Sequence, residues 1–381
     1  MDERRCLLAL SLVPGLGGVR IGRLVEYFGS AAAAWAAPRA ALVDVPGLGA
    51  AIAEAIAEAR DANGVDRMLR RAADCGARIV TWLDAGYPGR LRGIPASPPV
   101  LYVRGVWRND RPAVAIVGTR RATPYGLGVA ERLGAALAEH GVTVVSGLAR
   151  GIDGVVHRAV VRIGGSTVGV LGCGVDVMYP PEHRSLMEAM VRRGALVAEA
   201  PMGAAPGPRA FPARNRLISG LADAVVVVEG DVDSGAMITA RQAQAQGRVL
   251  FAVPGNVYAR GSRGPHRLLA AGARVVAAPD DVLAVLGLGA GRPGGDPDRP
   301  GVAHEPGPAA DLTPPERRLV AALDDGDARS IDGVAASAGL SVPVAAAALV
   351  ALELRGIIRR TAGGLYIKTA VPDGWGRGRT E

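Results

Sequence analysis

Ala113-Val114-Ala115-Ile116-Val117-Gly118-Thr119-Arg120 is an apolar run of strand length that ends in a glycine, a hydroxyl and an arginine, and a helix start follows at Thr123-Pro124-Tyr125-Gly126. A run that is apolar throughout, rather than at alternate positions, is a strand buried on both faces, as in a parallel sheet covered by crossover helices. The pattern recurs: strands are expected at 113–118, 142–146, 167–171, 196–198, 224–229, 248–253 and 274–276, with helix-length segments between them. The expected fold is therefore α/β, a Rossmann-like, doubly wound, mostly parallel sheet occupying residues 76–286.

Outward from this core the chain changes character twice. Residues 1–75 read as a helical domain with two similar turns, Val13-Pro14-Gly15-Leu16-Gly17 and Val45-Pro46-Gly47-Leu48-Gly49, each opening an amphipathic run. Paired turns of this kind suggest helix-hairpin-helix or SAM-like units, whose glycines let backbone N–H groups approach a phosphate at a helix start. Arg20 and Arg23 follow the first turn, but Ala50, Ala51 and Ala53 follow the second, where a helix-packing turn is an equal reading. Residues 287–311 are rich in Gly, Pro, Asp and Arg and read as a flexible linker.

After the linker, Thr313-Pro314-Pro315-Glu316 is a capping box that opens a winged-helix domain over 312–369, followed by a tail at 370–381. The third helix of that domain carries Val342, Val344 and Leu349 where a base-reading helix would offer Arg, Asn or Gln. It is expected to contact protein, or to touch phosphates only, through Arg355, Arg359 and Arg360.

The chain has 381 residues, 49% of them hydrophobic, a formal net charge of +8 and a pI near 10.0. An arginine surplus suits an anionic partner held by guanidinium forks, although a GC-rich genome writes the same surplus. Cys6, Cys75 and Cys173 are an odd set without ligand spacing, so neither disulfides nor a metal is expected, and a reducing cytoplasm fits. Arg4-Arg5 before Cys6-Leu7-Leu8 only mimics an export signal, since Asp2 and Glu3 precede it and the apolar run ends at Pro14. No stretch approaches the ~18 apolar residues of a membrane span.

Candidate binding residues gather at the carboxyl ends of the expected strands, where open α/β sheets place ligands. Gly118, Thr119 and Arg120 precede a helix start and form an anion cradle of free amides, a positive dipole end and a guanidinium. The glycine spacing is not that of a dinucleotide fingerprint, so no nicotinamide cofactor is expected. Ser146, Gly147, Arg150 and Gly151 end the next strand, and Cys173 reads as a small buried residue between glycines. Phe211, Arg214, Asn215 and Arg216 combine a ring with cations in the mix that binds single strands, where stacking contributes ~1–3 kcal/mol per base. The competing reading of that segment is a surface helix start with ion pairs. Ser234 and Gly235 open a later helix and offer a second phosphate seat, while His157 has no paired nucleophile and reads as a helix-packing histidine.

Together these segments resemble the DNA-processing protein A family, also called Smf. The resemblance is carried by Ile116-Val117-Gly118-Thr119-Arg120, Ser146-Gly147-Leu148-Ala149-Arg150-Gly151-Ile152-Asp153, Leu171-Gly172-Cys173-Gly174, Phe211-Pro212-Ala213-Arg214-Asn215-Arg216 and Ser234-Gly235-Ala236-Met237-Ile238-Thr239-Ala240. It implies a cytoplasmic, dimeric, non-catalytic protein that binds and protects incoming single-stranded DNA during natural transformation and helps load the RecA recombinase. It also implies a DNA pocket of Gly118, Thr119, Arg120, Ser146, Gly147, Arg150, Arg214, Asn215 and Arg216. Two departures stand out, Gly264-Pro265-His266-Arg267 where the family has Gly-x-Asn, and Ala213 where many members place a base.

The rival is a nucleotide phosphoribohydrolase of the same Rossmann variant, with Glu229 or Asp153 as catalytic carboxylate. Against it, the segment from Ser234 to Thr239 lacks the glutamate that follows the glycine loop of such enzymes. A transcription factor acting through the winged helix is a third, weaker alternative.

Overall fold

The computed structural model describes residues 1–60, 64–107, 109–288, 312–323, 327–355, 357–361 and 364–368. Its elements fall into two compact units, Met1–Gly291 and Arg292–Glu381.

The first unit opens with six helices, α1 (Glu3–Ser11), α2 (Gly18–Phe28), α3 (Ala31–Ala36), α4 (Arg39–Val43), α5 (Ala50–Ala59) and α6 (Gly64–Asp74). Strand β1 (Ala77–Thr81), helix α7 (Gly89–Arg92) and strand β2 (Val100–Gly105) lead into the crossover series. That series runs β3 (Ala113–Val117), α8 (Pro124–Glu139), β4 (Thr143–Ser146), α9 (Ile152–Arg162), β5 (Thr167–Leu171), α10 (Arg184–Arg193) and β6 (Ala195–Ala198). It continues with α11 (Ala210–Gly220), β7 (Ala224–Val227), α12 (Gly235–Ala245), β8 (Val249–Ala252), α13 (Arg263–Ala270), β9 (Arg274–Val275) and α14 (Pro279–Val285).

The strands form one sheet in the order β1-β2-β6-β5-β4-β3-β7-β8-β9. From β6 to β9 every pairing is parallel, with Val114 opposite Val144 and Ala115 opposite Val225, whereas β1–β2 and β2–β6 are antiparallel. Each strand expected from the apolar runs forms, within two residues of its expected ends. The antiparallel β1 and β2 were not anticipated. Pro98-Pro99 directly precede β2, whose Val100, Leu101, Tyr102 and Val103 are all buried.

Helices cover both faces. One core packs β3, β4, β7 and β8 under α8, α9 and α14 through Val114, Ile116, Val144, Val226 and Leu137. The opposite face packs α7, α11 and α12 on Val117, Val145, Val170 and Val227. The N-terminal helices share a third core with the β2, β5 and β6 region, where Leu7, Leu10 and Ile21 belong to one cluster with Tyr102, Leu171 and Leu196. Arg20 bridges the two glycine turns by donating to the carbonyls of Gly15 (2.7 Å) and Gly47 (3.2 Å). The expected boundary at residue 76 lies inside this unit, between α6 and β1.

The second unit holds α15 (Pro314–Ala321), α16 (Ile331–Ala338), α17 (Val342–Leu354) and the antiparallel pair β10 (Ile358–Arg360) and β11 (Tyr366–Lys368). The expected capping box forms: the Glu316 carboxylate accepts from the Thr313 backbone N–H at 2.7 Å. Leu319, Val334, Leu349, Leu352 and Ile358 make its core, while Val342, Val344 and Val350 of α17 are exposed. Most of the linker expected at 287–311 and the whole tail at 370–381 lie outside the described residues. Among the described residues no single helix is long and apolar enough to cross a membrane.

Candidate nucleic-acid interface

Because β3, β4 and β5 are parallel neighbours, their carboxyl ends bring three loops side by side, and the first turn of α11 lies over them. A pocket results, lined by Arg120, Gly147, Arg150, Tyr179, Phe211 and Arg214 among others. In it the Phe211 ring stands 5.7 Å from that of Tyr179, tilted by 32°, and the exposed Arg120 guanidinium lies 5.5 Å from the Phe211 centroid. A cation over a ring face is held by the ring quadrupole, so the aromatic pair positions Arg120 while leaving ring surface open.

The loops beneath are fixed in conformations that few residues tolerate. Gly151 has φ +75°, and a Cβ there would stand 2.3 Å from the Thr119 carbonyl oxygen, which also accepts from Ile152 N–H at 3.3 Å. The two cradles are thus in backbone contact. Leu148 has φ +55° without being glycine, a conformation that costs about 1 kcal/mol or more and persists only where its surroundings impose it. Two buried side chains do so. His183 Nδ1 donates to the Leu148 carbonyl at 3.1 Å, and the Asp153 carboxylate accepts from Ala149 N–H at 3.3 Å. Gly154 makes room, since a Cβ there would meet the His183 ring at 2.7 Å. Burial pushes the Asp153 carboxyl above its ordinary range, opposed by the Arg214 charge, and burial draws His183 down.

Arg214 is 7% exposed and spans the ends of β4 and β5, its Nη1 donating to the carbonyls of Gly147 (2.7 Å) and Val170. Burial lowers its pKa to about 10. It is the post on which the loop stands. Ser146 is buried and donates to the Ile116 carbonyl at 2.6 Å, tying β4 to β3. Asn215 donates to the Gly235 carbonyl at 3.1 Å, and Arg216 donates to both Glu199 oxygens at 2.8 and 2.7 Å. Of the segment from Phe211 to Arg216, the ring and the Arg214 post reach the pocket, while Asn215 and Arg216 are engaged internally. Ser234 and Gly235 open α12 and connect to the site through Asn215 rather than by lining the pocket.

The topological switch lies between β3 and β7, where strand order reverses. There the buried Glu229 carboxylate already occupies the α8 start, accepting from Thr123 N–H (2.9 Å) and Thr123 Oγ1 (2.5 Å). Gly126 admits it, since a Cβ would stand 2.4 Å from the Glu229 carboxyl carbon. The cradle read before this helix is therefore filled by the protein's own anion, and the open pocket lies over β4 and β5 instead.

His157 is fully buried in packing, its Nδ1 2.7 Å from Thr167 Oγ1, and burial lowers its pKa to about 3. Cys173 is 1% exposed, and burial raises its thiol to about 11. No cluster suited to a metal occurs among the described residues. Sequence reasoning assigned no role to Tyr179, Glu182 or His183. For Tyr179 a signal was available: a tyrosine–proline pair after a glycine-rich strand end is a turn that presents an aromatic.

Residues 78–287 match the family model described as DNA recombination-mediator protein A, and residues 303–364 match the DprA winged helix domain. The chain is similar to Protein Smf of Synechocystis sp., 34% identical over 96% of this chain and 98% of that protein. It is also similar to the X-ray structure of DNA processing protein A from Streptococcus pneumoniae, at 31% identity and a TM-score of 0.66, covering 74% of this chain and 98% of that one. A structure of DNA processing protein A from Helicobacter pylori, described in terms of its single-stranded DNA binding mode, matches at 29% identity and a TM-score of 0.50, covering 55% of this chain and 95% of that one.

Proposed function

The chain belongs to the DNA recombination-mediator protein A family, and on that basis we propose that it binds single-stranded DNA in the pocket at the carboxyl ends of β3, β4 and β5. The observation that carries this is the Arg120–Phe211–Tyr179 stack beside Arg150: a cation for the backbone and ring surface for a base, the combination single strands require. Arg120 and Arg150 pair with phosphates, Gly147 lines the seat, and the backbone of Gly118, Thr119 and Gly151 holds the two loops that carry these arginines. Phe211 and Tyr179 stack on bases. Ser146, Arg214, Asn215 and Arg216 hold strands and helices in register beneath, and Ser234 and Gly235 are supported through Asn215. Protection of the strand, RecA as the recipient of the bound DNA, a homodimer and a cytoplasmic location complete the proposal. They rest on family membership.

The hydrolase alternative asks Glu229 or Asp153 to act on a nucleoside monophosphate. Glu229 is 5% exposed and held by both Thr123 groups, and Asp153 is 6% exposed beneath Gly147. Neither is free to meet a substrate, which supports a binder.

The test is the affinity for labelled oligothymidine, single-stranded and duplex, over a salt series, for the wild type and Arg120→Ala. Preference for single strands, with a salt slope near −0.7 per neutralised phosphate and loss in the variant, is the expected result. Equal binding of duplex, or survival of binding in Arg120→Ala, would overturn it, and release of free base from a nucleoside monophosphate would revive the enzyme.

A further inference from the structure

Four carboxylates face the cations and amides of this region, and they are not held alike. Asp153 and Glu229 are buried and take backbone N–H groups, and Glu199 takes Arg216 through both oxygens. Glu182 differs. It pairs with Arg150 Nε, and both partners stand in solvent, with side chains 44% and 66% exposed. Yet its backbone is anchored. His183, the next residue, is 4% exposed and donates to the Leu148 carbonyl, and Tyr179, three residues before, packs its ring on Phe211. Glu182 is therefore kept beside Arg150 by a segment fixed on both sides, while the ion pair itself is weak because water and salt screen it.

We infer that Glu182 is a displaceable counter-ion occupying the phosphate seat of Arg150, which a nucleic-acid strand must evict to bind. The inference rests on the proposal that the pocket takes single-stranded DNA. A carboxylate and a phosphodiester each carry one negative charge and both suit a guanidinium fork, so binding exchanges one anion for another. A ligand offering a phosphate alone competes with a tethered carboxylate at high effective concentration. A strand that also stacks on Phe211 and pairs with Arg120 brings further contacts and displaces it. Glu182 thus selects against small phosphates and mononucleotides.

The exchange leaves its signature in the affinities. The phosphate that Arg150 neutralises releases its condensed cation whether or not Glu182 is present, because an isolated carboxylate condenses none, so the salt slope gains about 0.7 in either case. What Glu182 adds is the cost of vacating Arg150, which an oligomer and a monophosphate both meet.

The test uses the full-length protein, 20-residue oligothymidine and thymidine 5′-monophosphate as probes, with Glu182→Gln, Glu182→Asp, Arg150→Gln, Arg120→Ala and the Glu182→Gln/Arg150→Gln double variant. Glu182→Gln is expected to bind the oligomer several-fold tighter with its slope little changed, and to bind the monophosphate more tightly as well. Glu182→Asp keeps the charge and should stay near the wild-type affinity. Arg150→Gln should flatten the slope by about 0.7 in either background and should abolish the gain in affinity that Glu182→Gln brings. Unchanged or weaker binding in Glu182→Gln, while Arg120→Ala still loses affinity, would overturn the counter-ion role and leave Glu182 as a brace of its loop. A wild type that binds no oligothymidine would instead remove the single-strand proposal and the inference with it.

Discussion

Removing the Phe211 ring separates stacking from charge. The ring is partly buried, lies 5.7 Å from that of Tyr179 and carries the Arg120 guanidinium at 5.5 Å, so Phe211→Ala deletes one base platform and one support of a cation. Loss of a stacked base costs ~1–3 kcal/mol, about a 5- to 150-fold weaker dissociation constant at roughly 1.4 kcal/mol per decade. The cation–π support of Arg120 adds ~0.5–1 kcal/mol, shared with Arg120→Ala, so the double variant should lose less than the sum of the singles by about that amount. Fluorescence anisotropy of a labelled oligothymidine across a salt series reads both effects. Phe211→Ala should shift the line of log K against log salt downward with its slope unchanged, whereas Arg120→Ala should flatten it by about 0.7. If Phe211→Ala flattened the slope and its affinity converged on the wild type at high salt, the ring would serve only to place Arg120, and no base would stack there.

Three further perturbations probe the scaffold. Thr123→Val removes the donor to Glu229 and the cap of Gly126 N–H (3.2 Å), leaving a buried carboxylate short of a partner; a loss of about 1–3 kcal/mol should appear in urea denaturation, with Thr123→Ser close to wild type. Gly151→Ala combines a left-handed φ of +75° with a Cβ 2.3 Å from the Thr119 carbonyl, so a cost of about 2–6 kcal/mol is expected, together with loss of oligothymidine binding, and a stable variant with normal affinity would show the two cradles to be independent. His157, with its pKa lowered from 6.5 to about 3, is neutral when folded, so its contribution is fully present above pH 6.5 and is lost as pH falls toward 3, because the unfolded chain takes up the proton first. The stability difference between wild type and His157→Gln should therefore shrink by roughly 2 kcal/mol between pH 7 and pH 5, and a constant difference would mean that the ring is accessible to protons in the folded state.

The parallel strands were legible because burial on both faces writes itself locally, in the unbroken apolar runs around Val114, Val145 and Val226. The winged-helix start was legible for the same reason, since Thr313 and Glu316 lie three residues apart. What the sequence hid is what pairs across distance. Thr123 and Glu229 are 106 residues apart, Arg150 and Glu182 are 32 apart, and Arg90 meets Asp223 across 133. Nothing local distinguishes an arginine that will face solvent from one that will hold two strand ends, so Arg214 and Arg120 read alike although one is 7% exposed and the other is exposed. The mix of ring and cations from Phe211 to Arg216 pointed to a helix that borders the pocket, but helical geometry turns its members to different sides: Arg214 inward to β4 and β5, Arg216 to Glu199.

In the proposed binding mode a preference for single strands comes from the ring pair more than from Arg120 and Arg150, since duplex and single strand both carry phosphates that a guanidinium can pair with. A base in a duplex has its faces covered by neighbours, and exposing one costs a few kcal/mol of unstacking and unpairing, whereas a single strand offers a face at little cost. In that mode stacking on the Phe211–Tyr179 pair would return about the same amount, so the pair would favour a strand that is already open. The rigidity of the loop below follows from the same requirement. A platform that moved would lose its advantage to the entropy of ordering it on binding, and the hydrogen bonds of His183 to Leu148, Asp153 to Ala149 and Arg214 to Gly147 limit that loss.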